Sequence, residues 1–305
     1  MRILFVKYHG LGNDFAVVDA RDGELEFAGA LGRRLCDRHT GIGADGILLW
    51  RGSVDEPYMH VVNADGSVAE MCGNGLRCFV KYLLDFHAPR AAGVAVGTGG
   101  GTLTCAVERG ADGKVRTVSA RMGRASFAPG VIPIARAEPL VDAAIEVGGR
   151  ALRFTAVNTG NPHAVTFEFL TESDRLALGP QVCALPLFPR QANVEFVKVL
   201  GPGEGGMPRL QVDVFERGCG WTQACGTGAT AAVVVASHLG LVPVGREVAV
   251  HLPGGWLGVT VAADGVATMR GPAVEVYRGE VDLDAVAEPV SDGRAPERFG
   301  AGAMA

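Results

Sequence analysis

No basic run interrupts these 305 residues, and charged side chains make up only 20% of them, for a net charge of −5. That balance excludes the electrostatic footprint of a nucleic-acid-binding surface. Long hydrophobic runs are missing as well. The most apolar stretch, ATAAVVVASHLGLV, is too short to span a bilayer. The N-terminus, MRILFVKYHGLGNDF, reads as a strand entering a glycine turn and lacks the apolar core and cleavage site of a secretory signal. These absences predict a cytoplasmic protein with neither a nucleic-acid nor a membrane partner. An even cysteine count is lacking too. Seven cysteines in a chain of this size are better read as thiols than as a disulfide framework.

Glycine is what the chain has in excess: 44 of 305 residues, twice the ordinary share of about 7%. Many tight turns between short strands follow from that. Strand-like segments bounded by turn residues recur, among them RILFVKY, FAVVDA, GILLW, YMHVVNADG and LQVDVFERG. Two helices are predicted, NGLRCFVKYLLDFH at 74–87 and TGATAAVVVASHLG at 227–240, the second apolar enough to be deeply buried.

Each predicted helix follows the same local sequence. MCGNG surrounds Cys72 and ACGTG surrounds Cys225, 153 residues later. VAV runs begin at Val94 and Val248, and Asp-Gly turns begin at Asp112 and Asp264, at nearly the same offset. Three features in one order at one spacing indicate an internal duplication. The predicted fold class is therefore α+β, with two pseudo-symmetric domains. Each is a curved, mainly antiparallel sheet around a central buried helix, and the active site lies in the interdomain cleft. The expected boundaries are 1–124, completed by about 271–284, and 125–270. Residues 285–305 lose apolar periodicity and read as a mobile tail.

The cysteines divide by setting. Cys36, Cys105 and Cys183 read as small buried hydrophobes. Cys72/Cys78 and Cys219/Cys225 form two C-x5-C pairs, a spacing too long for zinc thiolates, so no metal site is expected. Cys72 and Cys225 each precede a helix start, where partial positive charge should lower a thiol's pKa towards neutrality. The adjacent glycines expose backbone N–H groups that suit a carboxylate. One such site would suggest a nucleophile. Two, in duplicated halves, suggest thiols flanking one carbon, one removing its proton while the other donates to the far face. Two helix starts aimed at the neighbouring carboxylate would stabilise the enolate-like charge, so no cofactor is required. GIGADG at 41–46 has the dinucleotide spacing, but a helix-like run precedes it and a strand-like run follows, the reverse of what that motif needs.

Ordered motifs over about residues 3–280 resemble the diaminopimelate epimerase family. They are HGLGNDF (9–15), RHTGIGADG (38–46), NADGSVAEMCGNGLRC (63–78), NTGNPHAV (158–165), NVEFV (193–197), ERGCGWTQACGTGATAA (216–232) and LPGG (252–255). The resemblance implies cofactor-independent interconversion of LL- and meso-diaminopimelate, in lysine and cell-wall precursor synthesis, by a homodimer. It places Cys72 and Cys225 on the two base positions. Gly73, Asn74, Gly226 and Thr227 fall on positions binding the reacting carboxylate. Asn13, Asn63, Asn161, Asn193, Glu216 and Arg217 match residues that hold the substrate, and His163 and Glu216 match residues assisting the cysteines.

Chemistry agrees with these residue types without deciding each one. Arg217 can pair with a distal carboxylate and Glu216 with an ammonium, but neighbours on a strand converge only if the chain bends near Gly218. Asn13, Asn63 and Asn161 stand in glycine- or proline-bearing turns and read equally well as turn formers. Two departures stand out: Trp221 where the family commonly has an acid, and Cys219, six residues before the second base position. A related two-cysteine racemase of another amino acid, or a non-catalytic amino-acid-binding relative, are the alternatives.

Overall fold

The computed structural model describes residues 1–23 and 29–287. The duplication is visible as strand topology. In the first half, Asn13–Asp19 runs parallel to Gly46–Gly52, which pairs antiparallel with Pro57–Asn63. In the second, Pro162–Thr166 runs parallel to Asn193–Leu200, which pairs antiparallel with Arg209–Glu216. Phe15 stands opposite Gly46, and His163 stands opposite Asn193. Three-stranded meanders follow in both halves: Gly93–Thr98, Gly101–Arg109 and Val115–Arg124, then Glu247–Leu252, Gly255–Val261 and Val266–Pro272. The halves join edge to edge where Val115–Arg124 pairs with Val266–Pro272. The chain then returns, Val274–Asp282 lying antiparallel to Arg2–Gly10.

Five α-helices decorate these strands among the described residues: α1 (Ala30–Cys36), α2 (Gly73–Phe86), α3 (Glu172–Cys183), α4 (Gly226–His238) and α5 (Leu283–Ala287). The first twelve residues of α2 and the first eleven of α4 are buried throughout. Valine loses rotamer freedom in a helix, so the Val233–Val235 run is held helical by its surroundings rather than by propensity. One charge pair lies within α2 itself. Buried Lys81 pairs with Asp85 at 2.8 Å and donates to the carbonyl of Val115. No described helix is long and apolar enough to cross a membrane.

Helix α3 was not anticipated. Its signal lies in the cap, where the Thr171 hydroxyl accepts from the N–H of Asp174 and the Asp174 carboxylate accepts in return. Ala285, Ala287 and the residue between them complete α5 instead of opening a tail, and 288–305 lie outside the described residues.

HGLGNDF and RHTGIGADG meet in an ion network beside the first helix start. Lys7, 5% exposed, pairs with Asp14 at 2.8 Å and donates to the carbonyl of Gly43. Arg38 grips Asp14 with both amino groups (3.1 and 2.8 Å) and also reaches Asp45. Burial opposes ionisation of Asp14, but bonds from Arg38 and Lys7 outweigh it and hold the carboxyl well below the usual range. A depressed carboxylate contributes stability above its unfolded pKa and loses it as pH falls. Asp14→Asn should therefore cost about 3 kcal/mol in urea unfolding at pH 7, because it strands buried Lys7. The gap between variant and parent should close progressively below about pH 4.

Candidate active site at two abutting helix starts

Cys72 and Cys225 are the N-cap residues of α2 and α4, both in extended backbone geometry. A sulfur replaces the usual capping oxygen. Cys72 Sγ accepts from the N–H of Gly75 at 3.4 Å, and Cys225 Sγ accepts from the N–H of Gly228 at 3.3 Å. The helix starts press against each other, since a Cβ placed on Gly73 would lie 3.7 Å from the Cα of Gly226. Met269 packs against both glycines; a Cβ on Gly226 would meet its Sδ at 2.8 Å.

The electrostatics depart from expectation. Burial pushes the Cys72 thiol up to about 11, against the pull of the Gly75 N–H, while Glu216 raises it further. Burial also drives Cys225 well above the ordinary thiol value, reinforced by Glu216 and Glu195. The depression expected at a helix start is thus outweighed by the loss of hydration, which is nearly complete at Cys225 and partial at Cys72.

Most candidate residues gather around these starts. Asn74, 3% exposed, donates to Asn13 Oδ1 at 3.1 Å and to the carbonyl of Ala224 at 2.8 Å, tying the first helix start to the residue before Cys225. Asn13 is fixed in turn by Asp45 at 2.8 Å. Thr227 lies 3.4 Å from Cys225 Sγ through its hydroxyl. His163, fully buried, places Nδ1 2.6 Å from Glu195 Oε1 and Nε2 2.7 Å from Asn161 Oδ1.

The Glu216–Arg217 pair does bend as required, at Gly218 and Gly220, both with positive φ. Glu216 accepts from Thr222, and burial raises its carboxyl. Arg217 donates through its backbone N–H to Asn193 Oδ1 at 2.9 Å, while its guanidinium reaches the carbonyl of Arg190 at 3.0 Å. Asn63 is engaged within its own turn, donating to Ser67 Oγ at 3.0 Å. Of the two departures, Trp221 stacks on Phe196 and edges against Phe215, and Cys219 is an exposed free thiol.

Two functional candidates escaped the sequence reading, Arg77 and Glu195, although both sit inside quoted motifs. Each is fully buried. The signal for Glu195 was a lone acid in the apolar strand NVEFV, every residue of which is buried.

Comparison with known proteins follows the same lines. A family model described as diaminopimelate epimerase matches residues 5–128 and 155–276. The chain is 39% identical to diaminopimelate epimerase of Leptospira biflexa, across 93% of this chain and 100% of that one. It is 42% identical to the Moorella thermoacetica enzyme of the same name, across 92% and 99%. Among solved structures, a hydroxyproline epimerase from Agrobacterium vitis superposes with a TM-score of 0.65 at 15% identity, covering 92% of this chain and 91% of that one. A predicted epimerase from Pseudomonas aeruginosa superposes with a TM-score of 0.64 at 15% identity, covering 92% and 99%. At that identity these two structures speak for the fold alone.

Proposed function

The chain belongs to the diaminopimelate epimerase family, and from that premise we propose that it inverts one α-carbon of diaminopimelate between thiols Cys72 and Cys225. It is an isomerase acting on an amino acid. The observation that carries the two-thiol assignment is the pairing itself. Two cysteines cap two buried helices from duplicated halves, and the helices start against each other at Gly73 and Gly226.

The step balances with no group from outside the chain. As thiolate, one cysteine forms an S–H bond while the C–H bond breaks and its electron pair moves towards the carboxylate. The second thiol's S–H bond then breaks as a new C–H bond forms on the opposite face. The enzyme ends with its two protonation states exchanged, and the reverse reaction restores them. The difficult species carries negative charge beside a carboxylate. N–H groups of the two helix starts supply partial positive charge from fixed positions, with no reorganisation needed as the charge develops. Asn74, Thr227 and the two glycines are assigned to that carboxylate. Asn13, Asn63, Asn161, Asn193, Glu216 and Arg217 are assigned to the rest of the substrate, and His163 and Glu216 to assisting the thiols. Cys225 is only 4% exposed, so entry of a substrate requires the halves to part.

LL-diaminopimelate incubated in D2O with reduced protein and no added cofactor should gain one deuterium at one α-carbon as it epimerises, read by mass spectrometry and chiral chromatography. Folded protein that neither exchanges nor epimerises would refute the assignment. The family resemblance also implies a cytoplasmic homodimer; a sedimentation-equilibrium mass near 31.7 kDa would count against the dimer.

A further inference from the structure

Superposed by their topology, the two halves are unequal at the positions beneath the thiols. Gly75 and Gly228 each lie three residues past their cysteine. A Cβ on Gly75 would meet Leu48 Cδ2 at 3.0 Å, whereas a Cβ on Gly228 would meet Glu195 Oε1 at 2.9 Å. Leu48 and Glu195 are matched strand positions, two residues past Gly46 and Asn193 in equivalent parallel pairs. On the partner strands, Phe15 faces Gly46 where His163 faces Asn193. An apolar floor under Cys72 thus corresponds to a buried acid with its histidine under Cys225.

Five residues past each cysteine the inequality has the opposite sign. Arg77 Nη1 donates to the carbonyl of Gly73 at 3.3 Å, and Thr230 Oγ1 donates to the equivalent carbonyl of Gly226 at 2.8 Å. Arg77 is fully buried, yet it enters no ion pair among the described residues. Its remaining bonds go to Pro272 O (3.1 Å), Asn74 Oδ1 (2.7 Å) and Met269 Sδ (3.6 Å), all neutral. A buried cation without a counter-ion favours any anion formed near it, and a buried carboxylate disfavours one. Glu195 is only partly offset by His163, for its Oε2 has no hydrogen-bond partner among the described residues.

We propose that Arg77 and Glu195 are positioning residues that break the symmetry of the thiol pair, so that Cys72 surrenders its proton first while Cys225 retains its own. This rests on the two-thiol reading above. The groups facing Cys72 are Arg77 from α2 and Glu216 from the Arg209–Glu216 strand. Those facing Cys225 are Glu216 again and Glu195, which carries His163 against it. Glu216 raises both sulfurs and Cys225 is the more deeply buried of the two, so Arg77 and Glu195 act in the same sense as the difference in burial and widen it. The free enzyme is then loaded for one direction: the stereoisomer presenting its α-hydrogen to Cys72 reacts without a preceding proton exchange. Arg77 also fixes Asn74, whose amide reaches the carbonyl before Cys225, so charge placement and alignment of the helix starts share one side chain.

The test is the pH dependence of alkylation by iodoacetamide, resolved by peptide mass spectrometry, on the full reduced chain without substrate. Cys72 should show a midpoint about one unit below that of Cys225, a tenfold faster reaction at neutral pH. Arg77→Met should raise the Cys72 midpoint by about one unit and leave Cys225 unmoved, and Arg77→Lys should restore it. Glu195→Gln, nearly isosteric, should lower the Cys225 midpoint by about one unit, which keeps the test open if Arg77→Met does not fold. A Cys225 midpoint at or below that of Cys72 would overturn the proposal. So would an Arg77→Lys profile as displaced as that of Arg77→Met, or an unmoved Cys225 in Glu195→Gln. Because no substrate is present, equal midpoints in an enzyme that still epimerises defeat the polarity alone, whereas absent epimerisation defeats the reading beneath it.

Discussion

Cys72→Ala should lose epimerisation by at least about 10³-fold while keeping the circular dichroism and cooperative unfolding of the parent, and Cys225→Ala should do the same. The fold should survive because each sulfur satisfies a single helix N–H. Losing such a cap costs about 1 kcal/mol, whereas burial along α2 and α4 stabilises both helices through many contacts. Catalysis should not survive in either variant. With one thiol gone, the remaining one can take a proton or return it to the same face, but nothing delivers a proton to the opposite face. The two losses should also match in both directions of the reaction, because forward and reverse use the same pair with roles exchanged. A single-base enzyme would behave otherwise, one variant failing and the other turning over. Initial rates from both LL- and meso-diaminopimelate decide the matter, and near-normal turnover by either variant would sink the two-thiol mechanism.

What could be read from sequence, and what could not, divides by the range of the interaction. The helix starts were legible at Cys72 and Cys225 because a cap, two glycines and an apolar helix are local features. The duplication was legible because it repeats them. Helix α3 was not, since its burial is confined to Leu178, Gly179, Val182 and Cys183 and leaves no regular apolar stripe. Arg77 and Glu195 carry no local signal of what they do, because their meaning lies in what faces them across the fold: neutral acceptors for one, a histidine and a helix start for the other. The direction of the thiol shifts was misjudged for the same reason. The helix start that favours a thiolate is local, and the burial that opposes it is set by the packed fold.

Gly254→Ala should lower kcat/KM by about 10²-fold and thermal stability together, although the residue carries no functional group. LPGG was only a family signature in the sequence; in the fold it is the point where three motifs touch. A Cβ on Gly254 would lie 1.9 Å from the carbonyl oxygen of Leu11 and 3.0 Å from that of Gln223. Leu11 belongs to the turn that delivers Asn13, and Gln223 stands two residues before Cys225, its carbonyl accepting from the N–H of Gly254 at 2.8 Å. Both obstacles are backbone, so no side-chain rotation relieves the clash. Overpacking of this kind costs typically 1–3 kcal/mol, about what displacing the two segments should take. A shift near 1 Å in either would misplace Asn13 or Cys225 against the reacting carbon, enough for about a 10²-fold loss. Gly201→Ala is the matched control, because nothing lies within 4 Å of its Cβ position and its φ is not in the left-handed region. Parent-like kinetics in Gly254→Ala would show that the three motifs do not hold each other in register.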